Sequence, residues 1–268
     1  MIRLEVVMSL APKTAIFEFL GTGTSTGVPV AGCPCAVCHS ADVRDKRLRS
    51  SALIRHGCRN LVIDTGPEFR LQCVRAGVMR LDAVLFTHDH VDHTNGFDDV
   101  RAYSFFKKKT VPVWGAADTL GEIRRRFSYI WKPTQVGGGL PDVELRTITG
   151  PFQAAGLSVV PVPIFHGKLP ILGFRIGDLA YLTDISSLPD ESVPLLRDLG
   201  TLIISCVRYR YHHTHLTISG AKRLHKLLKP RETYLTHLTH CFSHRDLIGV
   251  FPTDMTPAYD GLQLAINL

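Results

Sequence analysis

Thr87-His88-Asp89-His90-Val91-Asp92-His93 follows directly on the apolar run Ala83-Val84-Leu85-Phe86. The run is short, partly β-branched and aromatic, which reads as a buried strand. The polar stretch then sits at the strand's C-terminal end, where α/β folds place their chemistry. His88 and His90 stand two apart, so an extended chain sends both rings to one side. Asp92 and His93 fall where the chain turns towards a helix and face a second point nearby. Neutral imidazole and carboxylate are natural ligands of zinc, manganese or iron. A lone HxH reads better as a solvated loop; HxHxDH behind a buried strand reads as a metal site.

Working outward, the same arrangement recurs. The hairpin Ser51–Ile54 with Leu61–Ile63 ends at Asp64. The strand Leu157–Ile164 runs into His166, and Gly173–Gly177 turns at Gly177-Asp178 into Leu179–Thr183, which ends at Asp184. Thr233–Thr236 ends at His237. Taken alone, each of these residues reads as structural. Five strands all ending in a potential metal ligand or an acid (Asp64, His88, His166, Asp184, His237) are a different proposition. Ile16–Leu20 and Leu202–Ile204 are further strands, and Val111–Trp114 reads as a short edge strand. Helices are expected over 67–76, 95–105, 116–129 and 216–228, the last with Thr217 or Ser219 near its start. The stretch 101–150 is less patterned and reads as a lid or insert within a single domain spanning 1–268.

Gly32-Cys33-Pro34-Cys35-Ala36-Val37-Cys38-His39 is a second candidate site. Its three thiolates can gather on one tetrahedral ion, and zinc then needs a fourth ligand. His39 adjoins Cys38 and is poorly placed to close that sphere, so a remote ligand is expected. A redox thiol cluster and an apolar cysteine pocket are the alternatives. The loop Gly21–Gly27 lacks the GK[ST] of a phosphate-binding loop. It reads either as a turn close to a ligand or as a plain strand-to-loop turn.

With 268 residues, 45% hydrophobic and 21% charged, the chain has ample material for one large globular core. The net charge of +7 is partly local: Lys107–Lys109, Arg124–Arg126 and Arg44–Arg49 read as solvated faces that favour an anionic substrate such as a phosphate ester. No apolar stretch reaches the ~18 residues of a membrane span. Met1–Leu10 has no convincing cleavage site, and Met8 is an alternative start. The seven cysteines are therefore expected as thiols or ligands in a reducing, cytoplasmic setting.

THDHVDH followed at increasing distance by His166, Asp184 and His237 resembles the metallo-β-lactamase superfamily. The resemblance implies an α/β fold: an αββα sandwich of two mixed β-sheets flanked by helices. It also implies two divalent ions (Zn or Mn) at one edge. His88, His90 and His166 would hold one ion; Asp92, also counted among the catalytic groups, would hold the other with His93 and His237. Asp184 would bridge them, and Asp64 matches the structural aspartate of the family's first motif. Such a pair makes hydroxide available near neutral pH.

The opening LGTGTSTGVP, the GCPCAVC cluster and the closing THLTH resemble the phosphodiesterases of the carbon–phosphorus lyase pathway. That likeness implies a structural zinc on Cys33, Cys35, Cys38 and His240, and a general acid at His215, with His213 and then His212 behind it. It also implies a homodimer and a small phosphodiester substrate, with cyclic ribose phosphates included. Nucleic acid ranks second as a partner, through likeness to tRNA 3′-end endonucleases. Thioester and lactone hydrolysis rank third, and a zinc-knuckle-like interaction module last.

Overall fold

Alternation along the strands sets the layering. In β2 (Ser51–His56), β3 (Arg59–Ile63) and β4 (Ala83–Leu85), Ala52, Ile54, Leu61, Ile63, Ala83 and Leu85 point to one side. Leu53, Val62 and Val84 point to the other. Period-2 side chains that are apolar on both faces require cover on both. The chain supplies a second sheet on one face and helices on the other.

The computed structural model describes residues 13–107, 109–132, 139–206, 208–209 and 213–268. The first sheet begins with β1 (Thr14–Gly21) and, after β4, adds β5 (Val111–Gly115) and β6 (Val143–Thr147). The second sheet contains β7 (Phe152–Ala154), β8 (Leu157–His166), β9 (Leu169–Ile176), β10 (Leu179–Leu182), β11 (Thr201–Ser205), β12 (Glu232–Thr236) and β13 (Met255–Pro257). The chain then returns to the first sheet as β14 (Gln263–Asn267). The orders are β14-β1-β2-β3-β4-β5-β6 and β13-β12-β11-β10-β9-β8-β7. Both sheets are mixed: β3-β4-β5-β6 and β10-β11-β12-β13 run parallel, and the other pairs are antiparallel.

Three cores follow. Phe17, Phe19, Tyr181 and Ile203 fill the space between the sheets. On the outside of the first sheet lie α1 (Phe69–Arg75), the short α2 (Val91–Thr94), α3 (Arg101–Lys107) and α4 (Ala117–Arg126). Phe69, Leu120 and Ile123 pack there on Val62 and Val84. On the outside of the second sheet, α5 (Ile218–Leu228) and α6 (His244–Ile248) pack Ala221, Leu224 and Leu247 on Leu202 and Ile204. This is the expected αββα sandwich. Among the described residues no helix is long and apolar enough to cross a membrane.

Several expectations are corrected. β5 is interior, not an edge strand, because β6 pairs alongside it. The sequence of β6, Val-Glu-Leu-Arg-Thr, alternates with polar residues since one face of this edge strand meets solvent. The stretch 101–150, read as a lid or insert, thus contributes two scaffold strands. Arg47, read as part of a solvated basic run, is only 1% exposed.

Candidate metal centre

Strands of both sheets deliver their C-terminal ends to one rim. Asp64 follows β3, Thr87 to His93 follow β4 into the first turn of α2, His166 closes β8, Asp184 follows β10 and His237 follows β12. Asp64, Asp184 and His237 hold left-handed backbone, with φ 63°, 56° and 53°. Non-glycine residues are uncommon there and cluster where a site fixes them.

The expected ligands come together. The His88 ring lies 4.5 Å from that of His90, 4.3 Å from that of His93 and 5.8 Å from that of His166, and the His90 ring lies 5.2 Å from that of His166. Asp184 reaches both halves of the cluster: Oδ2 lies 2.9 Å from His93 Nε2, and Oδ1 lies 3.1 Å from His237 Nε2. Asp92 Oδ2 lies 3.5 Å from His93 Nε2 and 3.7 Å from His237 Nε2. Donor atoms fall within 4.8 Å of one another in three sets: His88–His93–Asp184, Asp92–His93–His237 and His166–Asp184–His215. His90 stands beside these sets, exposed at the rim.

Supporting residues fix which nitrogen faces inward. Thr87 donates from N and Oγ1 to Asp64 at 2.9 and 2.8 Å, and its Oγ1 lies 2.9 Å from His88 Nδ1. His93 Nδ1 lies 2.7 Å from the same carboxylate, at the Oδ2 that also accepts from Thr87 Oγ1. His166 Nδ1 faces the carbonyls of Asp184 (3.0 Å) and Thr214 (2.8 Å). With Nδ1 of each ring so engaged, Nε2 is left to the centre. Thr65 N donates to His93 O at 2.7 Å, and Gly96 N donates to Thr65 O at 2.9 Å, locking the Asp64 turn to α2.

The electrostatics suit cations. Burial alone would raise Asp92 and Asp184, yet the imidazoles of His237 and His93 outweigh it and hold both carboxyls well below their usual range. Burial pushes His88 well down, and partial burial at the rim pushes His90 down as well. Burial also opposes charge on His93, but Asp64 and Asp184 push it up. The buried Nε2 atoms of His88, His93 and His237 have no hydrogen bond of acceptable geometry. Imidazole nitrogens without hydrogen-bond partners beside ionised carboxylates are a donor set that fits divalent ions once His93 gives up its proton.

Of the three histidines weighed for proton donation, His215 reaches the cluster. Its Nδ1 is 3.3 Å from Asp184 Oδ1, and its ring lies 4.7 Å from that of His166 and 5.2 Å from that of His237. His213 is exposed, and His212 lies outside the described residues. Sequence reasoning missed Arg126, which arrives from α4 and donates from Nη1 to Asp89 O (2.7 Å) and Thr94 Oγ1 (2.8 Å). A basic run at a helix end carries no signal for such a contact.

The second cluster is also assembled. Sγ of Cys33, Cys35 and Cys38 stand 3.3, 3.4 and 3.7 Å from His240 Nδ1. A tetrahedral ion with bonds of about 2.0–2.3 Å has edges of about 3.6 Å, so the three thiol–imidazole separations are of the right length, and all four donors lie within 4.8 Å of one another. The Cys38 N–H, then the His240 ring, lower the Cys35 thiol from 9.0 to about 6. Burial raises Cys38. The Gly21–Gly27 loop lies against the strand end that carries His237: Gly23 bridges to Leu238, and Leu238 N donates to Thr22 O at 2.7 Å.

Residues 59–238 match the beta-lactamase superfamily domain. A Porphyromonas gingivalis protein named octanoyltransferase is 39% identical over 253 residues, covering 92% of this chain and 51% of that one. The chain thus spans about half the length of that relative. A diphosphatase of the PhnP family superposes with a TM-score of 0.87 at 38% identity, over 93% of this chain and 97% of that one. Zn(2+)-bound PqqB from Methylobacterium extorquens shares the fold, with a TM-score of 0.76 at 18% identity over 93% and 99% of the two chains.

Proposed function

Because this chain belongs to the metallo-β-lactamase superfamily of hydrolases, we propose that it is a dinuclear metal-dependent phosphodiesterase acting on a small phosphodiester, cyclic ribose phosphates included. The observation that carries the reading is the Asp184 carboxylate, which meets His93 through one oxygen and His237 through the other. His88, His90 and His166 would hold one ion, Asp92, His93 and His237 the other, with Asp184 shared. Two divalent ions bound there supply hydroxide near neutral pH and offset charge on phosphoryl oxygens. Asp64 orients His93 and, through Thr87, His88. His215, protonated and directed by Asp184, donates to the departing oxygen. Cys33, Cys35, Cys38 and His240 would hold a structural zinc that joins the N-terminal loop to the His237 strand end. The thiols suit a reducing, cytoplasmic setting.

A second reading is supported by the 38%-identical relative described as a diphosphatase. Attack at phosphorus of a phosphoanhydride needs the same ions and the same positioned donor, with a better leaving group.

The test is a panel on metal-loaded protein: a cyclic ribose phosphate, bis(p-nitrophenyl) phosphate, a diphosphate-linked nucleoside, a phosphomonoester, a thioester and a lactone. The highest kcat/KM is expected on the cyclic or linear diester. A clear lead for the diphosphate selects the second reading. Turnover confined to the thioester or lactone overturns both.

A further inference from the structure

Arg47 is among the largest fully buried side chains, and it joins the two segments that carry the cysteine site. Its backbone pairs with Val28 in both directions, N to O at 2.7 Å and O to N at 2.8 Å, at the root of the loop bearing Cys33, Cys35 and Cys38. Its Nη1 donates to the carbonyls of Thr239 and Phe242, each at 3.3 Å, on either side of His240. Its Nη2 donates to Asp45 Oδ1 at 3.1 Å, with both side chains almost wholly buried. Asp45 in turn accepts from His244 N at 2.6 Å and from Ser40 Oγ at 2.7 Å. The His240 loop is therefore held against the cysteine loop at Thr239, Phe242 and His244, by protein groups alone.

A buried ion pair is weak evidence for stability, since apolar replacement of both partners is often neutral. What such a pair provides is a fixed geometry. Metal binding that must also order a loop is weakened by that ordering, and a site gathered in advance is not.

We propose that Arg47 and Asp45 are positioning residues for the cysteine site, holding His240 at the three thiolates independently of any ion. The inference rests on reading Cys33, Cys35, Cys38 and His240 as a zinc site.

The test compares the full chain with its Asp45→Leu/Arg47→Met double variant, which strands no buried charge. Cobalt(II) is titrated in, and the thiolate charge-transfer absorption, which only thiolate ligation produces, is read beside the thermal midpoint. The double variant is expected to keep a midpoint near the parent's while needing roughly 10–100-fold more cobalt, the usual effect of losing a group that orients a ligand. Equal cobalt affinity in a folded double variant overturns the proposal. A second reading needs no variant: in parent protein stripped of metal by chelator, the His244 amide is expected to stay protected from hydrogen exchange. Exchange there at the rate of open-loop amides also overturns it. If the parent itself gives no thiolate absorption with cobalt, the zinc reading fails and this proposal with it, whereas a responsive parent matched by its variant sinks the proposal alone.

Discussion

His237 Nε2 lies 3.1 Å from Asp184 Oδ1, and both residues hold left-handed backbone, at φ 53° and 56°. The two strands that precede them, β10 and β12, flank β11 in one parallel run. A turn into the left-handed region just past each strand end aims both side chains across the rim rather than along it. Asp64, at φ 63°, does the same from the first sheet. The site is thus built where two sheets offer their strand ends to each other.

Asp64 would act on the ions only through His93 and Thr87, so its removal should weaken rather than abolish the site. Asp64→Asn keeps a residue that tolerates left-handed backbone but loses the charge facing His93. Metal affinity or turnover is expected to fall by about 10–100-fold, measured by competition with a chelator and by kcat/KM. Unchanged affinity would argue that His93 needs no orienting partner.

His215→Ala separates a proton donor from a mere wall of the site. Hydrolysis of a diester with an alkoxide leaving group should fall by about 10²–10⁴-fold, while bis(p-nitrophenyl) phosphate, whose leaving group needs no proton, should fall far less. Equal losses on both substrates count against proton donation.

The cysteine site carries a pH signature. The Cys38 N–H and the His240 ring lower the Cys35 thiol to about 6, so the thiolate exists throughout the neutral range and protons compete for it only in acid. In metal-free protein the Cys35 thiolate is expected to persist above neutrality and to be lost as pH drops through about 6, while burial keeps Cys38 protonated to higher pH. The pH dependence of alkylation at Cys35 in chelator-stripped protein, read by mass spectrometry, measures this. A midpoint near the ordinary value of 9.0 would contradict it.

How much of this was legible in advance differs by residue. HxHxDH after Phe86, the recurrent strand-end residues and the CxCxxC run all lie in local sequence, and the αββα fold came with the family that these motifs resemble. The left-handed turns at Asp64, Asp184 and His237 were not legible, since no glycine marks them. β6 was hidden by its polar alternation. Arg47 was misread because a charge run has no local feature that separates a buried member from solvated ones; only the loop folding back from His240 decides it.

Gly66 tests the packing that seats Asp92. A Cβ there would stand 2.5 Å from Asp92 O and 3.3 Å from Arg49 Cβ. Gly66→Ala is expected to cost about 1–3 kcal/mol and to loosen metal retention, because α2 must shift. Thermal unfolding with and without added metal checks both, and parent-like behaviour in each would mean the turn has room to spare.

The convergence of His88, His90, Asp92, His93, His166, Asp184 and His237 on two ions is tested most directly by elemental analysis of purified protein beside its Asp184→Asn variant. The parent is expected to hold about three ions per chain, two at the strand ends and one at the cysteines, and the variant to keep the cysteine-bound ion while losing at least one of the other two. A parent that holds a single ion, or a variant whose metal content is unchanged, contradicts a shared Asp184 carboxylate at a two-ion centre.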